Sequence, residues 1–303
     1  MIRFGPAGWT YPDSPGKVYP SGLPKKWDVL EFYARYFDTI EINASFYAPQ
    51  PPRNYASWAK RVAVNDRFKF TAKLWQGFTH KQANRRSGDQ IARSPDREWS
   101  PEDVEIVKEG LEELRHVGRL GAVLAQFPWS FKPSAESSEL LARLAEDFHG
   151  WPLVVEVRHG AWAKREHALE LQKLRLGFAN IDQPTIGESL EPTAGATSDI
   201  AYVRLHGRRA DKWFDERAST AERYDYLYSA KELEPWAERV KKIASIGGVK
   251  ELYVISNNHF EGKGAANALM LRAMVEGRQV QAPPVLFRTY ERELAPFAQP
   301  LEA

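Results

Sequence analysis

The sequence predicts a (β/α)8 TIM barrel, and three observations point there. Short apolar, β-branched segments alternate with helical stretches from end to end, the pattern of a parallel α/β fold. Eight such segments can be placed, near 3–8, 39–43, 68–73, 121–126, 152–158, 177–181, 200–206 and 250–256. Eight strands, each followed by a crossover, favour a closed barrel over an open doubly wound sheet. No internal repeat, low-complexity tract or linker divides the 303 residues. Residues 1–303 are therefore read as one domain, of a size common for barrels.

The elements follow in chain order. Met1-Ile2-Arg3-Phe4-Gly5 enters a strand directly and lacks the apolar core of a signal peptide. No apolar run approaches membrane-spanning length, so the expectation is a cytoplasmic protein without a membrane partner. Ser100-Pro101-Glu102-Asp103 supplies an N-cap, a proline at the first helical position and acids in the first turn. Val104, Val107, Leu111 and Leu114 continue it as an apolar stripe, and Gly118 can end the helix. Leu140, Leu141, Leu144 and Phe148 make a second stripe; Trp236, Val240, Ile243 and Ala244 make a third before Gly247-Gly248.

Two connections are long, at 74–100 and 207–234. Both follow strands (the third and the seventh), which puts them on the C-terminal face, where active sites sit in this fold. The first carries Lys81, Arg85, Arg86, Arg93 and Arg97 against Asp89, Asp96 and Glu98. A substrate lid and a solvated mixed-charge loop account for it equally well.

Composition closes several classes. With no cysteine, disulfides, thiolate metal sites, iron–sulfur clusters and a cysteine nucleophile are excluded. A formal net charge of +2 is too slight to predict nucleic acid as a partner. Gly5-Pro6-Ala7-Gly8 forms neither a dinucleotide nor a Walker-type loop, and no nucleophile elbow marks a serine triad.

Strand parity locates the chemistry. A barrel strand alternates its side chains between the interior and the surrounding helices. Ile40 and Ile42 oppose Glu41 and Asn43; Phe68 and Phe70 oppose Thr71 and Lys73. Val155 and Val157 oppose Glu156 and Arg158, and Val203 and Leu205 oppose Arg204 and His206. The apolar set suits the helices, so the polar set is expected inside, at the strand's C-terminal end. Gln126, Asp182, Asn257 and Asn258 end other strands. Buried charges are costly unless paired, so such a rim is either an internal salt-bridge plug or a site completed by a ligand.

These motifs resemble the YecE-like family, also called domain of unknown function 72. The resemblance runs through Gly8-Trp9-Thr10-Tyr11 with Gly16 and Tyr19-Pro20, through Glu41 to Tyr47, and through Phe70 to Lys73 with Thr79-His80. It continues in Gln126-Phe127-Pro128, Glu156-Val157-Arg158-His159 with Trp162, Tyr202 to Arg208, and Asn257-Asn258-His259 with Asn267. The resemblance implies a TIM barrel and no established reaction. The family's opening motif usually has a second Trp where this chain has Ser14, so an aromatic cleft wall is missing or supplied from elsewhere.

Glu41 and Glu156 are the leading general acid/base candidates, followed by His80 and His206. Lys73, Arg158 and Arg204 would hold a phosphate or carboxylate. Trp9, Tyr11, Tyr47 and Trp213 would stack on a ring, and Asn43, Gln126, Asp182, Asn257 and Asn258 would bind substrate. The reading is an enzyme acting on a small polar substrate, anionic or sugar-like, with no cofactor. A glycosidase fits poorly, because the fourth strand ends in Gln126 and the seventh in His206.

The first alternative is a divalent-metal-dependent isomerase or phosphodiesterase using Glu41, Glu156, Asp182, His80 and His206. Lys73 and Arg158 would repel its metal. The second is a non-catalytic barrel that binds nucleic acid or a protein through 81–97, Arg204, Arg208 and Arg209. The first structural check is whether Glu41 and Glu156 point inward.

Overall fold

The computed structural model describes residues 1–80, 98–213, 215 and 217–301. Eight strands form the main sheet: β1 (Ile2–Pro6), β2 (Thr39–Ile42), β3 (Lys69–Lys73), β4 (Leu120–Gln126), β5 (Leu153–Glu156), β6 (Gly177–Asp182), β7 (Ile200–Leu205) and β8 (Glu251–Ser256); β9 (Val280–Ala282) and β10 (Ala298–Pro300) pair in a small separate sheet. The order in the main sheet is β1-β8-β7-β6-β5-β4-β3-β2, with every ladder parallel. The remaining seam, between β1 and β2, is bridged by Ala7 and Glu41, with Gly8 N–H donating to the Glu41 carbonyl at 2.9 Å. The fold is the expected (β/α)8 barrel.

The seam explains Gly5. A Cβ on that residue would lie 1.8 Å from the Thr39 carbonyl oxygen. Only a residue without a side chain lets β1 approach β2 closely enough to close the barrel.

The helical layer follows the sequence signals. Pro101–His116 begins at Ser100, whose N–H donates to the Asp103 carboxylate at 2.6 Å, and buries Val104, Val107, Leu111 and Leu114. Ala135–Asp147 buries Leu141 and Leu144; Ala230–Ala244 buries Leu233, Trp236, Val240 and Ile243. These stripes join one buried core with the outward residues Ile40, Ile42, Phe68, Phe70, Val155, Val203 and Leu205.

One crossover departs from expectation: residues 183–199, between β6 and β7, contain no helix. Pro184, Gly187, Pro192 and Gly195 interrupt any helical run there. Buried Asn180 of β6 pins the segment instead. Its amide donates to the Gly195 carbonyl at 2.9 Å, and its oxygen accepts from Thr193 Oγ1 and Gly195 N at 2.9 Å each.

Of the long connections, 81–97 lies outside the described residues. The other runs from the end of β7 through Ala210–Trp213 and Thr220–Arg223 to the helix at Ala230. Among the described residues no helix is long and apolar enough to cross a membrane.

Closure over glycine predicts that Gly5→Ala lowers the unfolding free energy by about 3 kcal/mol. Gly247→Ala, which meets nothing within 4 Å, should change it by less than about 0.5 kcal/mol. Urea denaturation of both variants checks this.

Candidate functional site

Glu41 on β2 and Arg204 on β7 belong to strands that are not neighbours, so their side chains can meet only across the barrel interior. They do meet. Arg204 Nη2 lies 2.5 Å from Glu41 Oε1 and Arg204 Nε donates to Glu41 Oε2 at 2.9 Å, a two-pronged pair. Arg204 Nη1 donates to Glu156 Oε2 of β5 and to Gln126 Oε1 of β4, both at 2.9 Å. The inward parity expected for these strands is therefore the observed one.

Arg204 is 1% exposed and both carboxylates are 0% exposed. Tyr202, one inward position below Arg204 on β7, donates its hydroxyl to Glu41 Oε2 at 2.9 Å and shares a 2.8 Å hydrogen bond with Thr71 of β3. Arg158 continues the cluster upward, with Nε and Nη2 donating to Glu156 Oε1 at 3.1 and 2.9 Å.

The two glutamates come together as expected, and each is held by guanidinium groups. Burial opposes the charge on Glu156, yet Arg204, then His206 and Arg158, hold its carboxyl well below the usual carboxylate range. Such a group does not serve as an acid near neutral pH. Glu41 has both oxygens on Arg204. Arg204 is corrected from a substrate ligand to the hub, because burial is outweighed by Glu41 and Glu156, which keep it cationic.

Lys73 sits differently. It ends β3 on the inward face, with Nζ 3.9 Å from the centroid of the Phe46 ring. Among the described residues no carboxylate lies within ion-pairing distance of it. Its side chain keeps some accessible surface while its amine lies deep in the protein. Burial first, and then Arg204, push the amine down to about 7, against the opposing pull of Glu41 and Glu156. Ser45 Oγ donates to the Lys73 carbonyl at 2.7 Å, tying the turn that carries Phe46 to the end of β3.

Burial disfavours the charged form of His80 and His206. Burial, then Lys73 and Arg158, lower His80 to about 4; its Nδ1 shares a 2.8 Å hydrogen bond with Thr79 Oγ1. Burial lowers His206 to about 3. Asn257 Nδ2 lies 3.1 Å from His206 Nδ1 and is its donor, which leaves the ring proton on Nε2, 3.2 Å from Glu156 Oε1. That second approach lacks hydrogen-bond alignment.

Aromatic rings line the mouth. Tyr11 stacks on His259 at 4.2 Å, accepts from Asn43 Nδ2 at 3.4 Å and donates to the Ala7 carbonyl at 2.7 Å. Gly8 lies against this ring, since a Cβ there would meet Tyr11 Oη at 2.3 Å. Trp213 stands 5.5 Å from the Arg158 guanidinium and 6.0 Å from the His206 ring; Tyr224 reaches both Trp213 and His259. Tyr47, 64% exposed, stands at the rim.

Three other assignments are corrected. Asp182 shares the outward face of β6 with Asn180. It accepts from Trp236 Nε1 at 2.5 Å and from Arg208 Nε and Nη2 at 3.0 and 2.7 Å, so it fastens β6 to the helical layer. Asn258 points opposite to Asn257, and donates to the Tyr226 carbonyl at 2.7 Å and to Asn267 Oδ1 at 2.8 Å. Trp9 packs on Trp58 and Phe70 on the helix side of β3. Ser14 is 1% exposed inside the turn after β1, so position 14 builds no cleft wall here.

Sequence reasoning missed Tyr202, Phe46, Tyr224 and His259 as members of the site. Tyr202 was within reach, because it shares the parity of Arg204 and His206. Among the described residues no three His, Asp or Glu side chains converge as a metal-ligand set.

A family model described as "Protein of unknown function DUF72" matches residues 3–289. The chain belongs to the DUF72 family. It is 30% identical over 287 residues to the UPF0759 protein YunF of Bacillus subtilis (strain 168), covering 91% of this chain and 95% of that one. The crystal structure of a DUF72 family protein from Thermotoga maritima MSB8 superposes with a TM-score of 0.76 at 32% identity, over 91% of this chain and 99% of that one. A second DUF72 structure, from Enterococcus faecalis V583, shares the fold with a TM-score of 0.76 at 24% identity, over 91% and 96% of the two chains. The DUF72 barrel thus accounts for the architecture, and its name states no reaction.

The hub predicts a pH-dependent penalty. Arg204→Met leaves two buried carboxylates without their guanidinium and should cost about 3–5 kcal/mol at pH 7. Glu156, whose native titration is depressed, contributes stability above the ordinary carboxylate value near 4.3. That contribution is lost as pH falls through the native value. The penalty should therefore shrink as pH falls below about 4.3; denaturant melts showing a constant difference from about pH 5 down to about pH 2 contradict it.

Proposed function

We propose that this DUF72 protein is an enzyme acting on a small anionic substrate at the C-terminal end of the barrel. In this reading Arg158 holds the anion and Lys73 handles the proton. The observation that carries it is a charge imbalance. Three cations, Arg204, Arg158 and Lys73, face two carboxylates, and Lys73 has no anionic partner among the described residues.

The donors left over support the same reading. Arg204 spends Nε, Nη1 and Nη2 on protein acceptors. Arg158 Nη1 and Gln126 Nε2, by contrast, make no hydrogen bond to a described residue. A carboxylate or phosphate entering beside Lys73 would meet a guanidinium edge, an amide and an amine together. The rings of Tyr11, His259, Tyr224 and Trp213 would exclude water and set the size of what enters. A barrel's C-terminal face is also where its enzymes do chemistry.

Proton transfer passes from the glutamates to Lys73. An acid or base works best when its titration lies near the operating pH; Lys73, lowered to about 7, meets that condition. Glu156, held well below its ordinary range, and the neutral His80 and His206 do not. The divalent-metal alternative is disfavoured, because a cation between Glu41 and Glu156 would have to displace Arg204. A nucleic-acid surface is disfavoured at Arg208 and Arg209, since they already pair with Asp182 and Asp211.

Thermal melts test the reading. Inorganic phosphate and small dicarboxylates should raise Tm in the wild type, a ligand at a hundred times its Kd adding about 2.7 kcal/mol. The rise should vanish in Arg158→Met and Lys73→Met. A neutral sugar that raises Tm while the anions do not would overturn it.

A further inference from the structure

A lysine that ends a barrel strand, reaches the site and pairs with no acid among the described residues has a second use besides attracting charge. We propose that Lys73 is a covalent nucleophile that condenses with the carbonyl carbon of a small oxo acid to form a protonated imine. The inference rests on the anionic-substrate reading above and adds to it the substrate's reacting group.

The geometry supplies three conditions. The amine is held over the Phe46 ring, whose own position is fixed by the Ser45 hydroxyl on the Lys73 carbonyl. The ring's face offers Nζ no N–H or O–H donor, so that contact leaves the lone pair open to an incoming carbon when the amine is deprotonated. The two nearby acids are unavailable to it: Glu41 is closed by Arg204 and Tyr202, and Glu156 by Arg204 and Arg158. Third, Arg158 belongs to the same charge cluster as Lys73 and its Nη1 bonds to no described residue, so it is the group assigned to the substrate's carboxylate.

Charge completes the case. The groups around the amine are Glu41 of β2, Glu156 and Arg158 of β5, Arg204 of β7 and His80 after β3. Desolvation and the two arginines lower its proton affinity to about 7. At pH 7 this leaves a neutral fraction on the order of a thousandfold above that of an ordinary lysine. An amine lowered by burial and neighbouring cations is a recognised way of activating a lysine toward carbonyl carbon.

The step balances without an outside reagent. The lysine begins as an ammonium, gives up one proton, and its lone pair forms the N–C bond while the carbonyl π electrons move to oxygen. That oxygen takes the released proton and then a second from nitrogen. It leaves as water as the C=N bond forms. An ammonium and a ketone thus become an iminium and one water, with charge conserved and nothing oxidised or reduced. The iminium withdraws electrons from the neighbouring carbon, which is the activation the enzyme would use.

The test uses the full chain with pyruvate or glyoxylate and sodium cyanoborohydride at pH 7, followed by peptide mapping. One oxo-acid equivalent per chain should be retained on the peptide bearing Lys73. Its rate should exceed that at the exposed Lys164 and Lys250 by at least about tenfold. Acetaldehyde, which lacks the anion, should label Lys73 more slowly. Lys73→Arg should lose the label yet keep the anion-dependent rise in Tm, because a guanidinium retains the charge without the nucleophile. Label spread evenly over surface lysines, with the Tm rise intact, overturns the covalent step and leaves anion binding standing. Loss of both the selective label and the Tm rise removes both.

Discussion

Two carboxylates at the centre of a barrel need a cation between them, and Arg204 is that cation. A buried charge costs several kcal/mol of desolvation unless nearby opposite charge and hydrogen bonds compensate it. Arg204 supplies both at once, since its planar fork closes on Glu41 and its outer edge reaches Glu156 and Gln126. Four strands are joined through one side chain. Everything above it, including Arg158, Lys73 and His206, stands on a platform of fixed charge.

That platform determines which groups can exchange protons. The glutamates are spent on arginine, and the two histidines are kept neutral by burial. Lys73 is near balance because burial, then Arg204 and Arg158, disfavour its proton while Glu41 and Glu156 attract it. Moving one charge in the hub would shift that balance. The separation of roles is physical: paired ions hold position, and the one with no partner among the described residues has freedom to react.

Much of this was legible in the sequence, for stated reasons. Every barrel strand lay within two residues of its expected place, because each is a short apolar, β-branched segment between helical stretches; the short pair Val280–Ala282 and Ala298–Pro300 was not expected. Alternation of apolar and polar residues sent Glu41, Glu156, Arg204 and His206 inward. It also accounts for the errors. Asn257 and Asn258 are adjacent, so only one can face the interior. Asp182 lies on the face of Asn180, opposite Ile181, and that parity places it outside. What parity does not encode is which charges pair. Glu156 reads equally well as an acid or as an anchored anion until a guanidinium is found beside it. Trp9 depended on packing partners far away in the chain, whereas the helix-free crossover at 183–199 was legible in its own Pro184, Gly187, Pro192 and Gly195.

The central claim is that Glu156 is a locked anion and not the proton donor of the site. The direct measurement is a carbon-13 NMR titration of the glutamate side-chain carboxyls, with Glu156 assigned by Glu156→Gln. The account predicts a Glu156 carboxyl resonance that stays at its ionised position from about pH 9 down to about pH 5, below the ordinary onset of glutamate protonation. An inflection between pH 6 and 8 would show a carboxyl that shares its proton near neutrality, and would contradict the account.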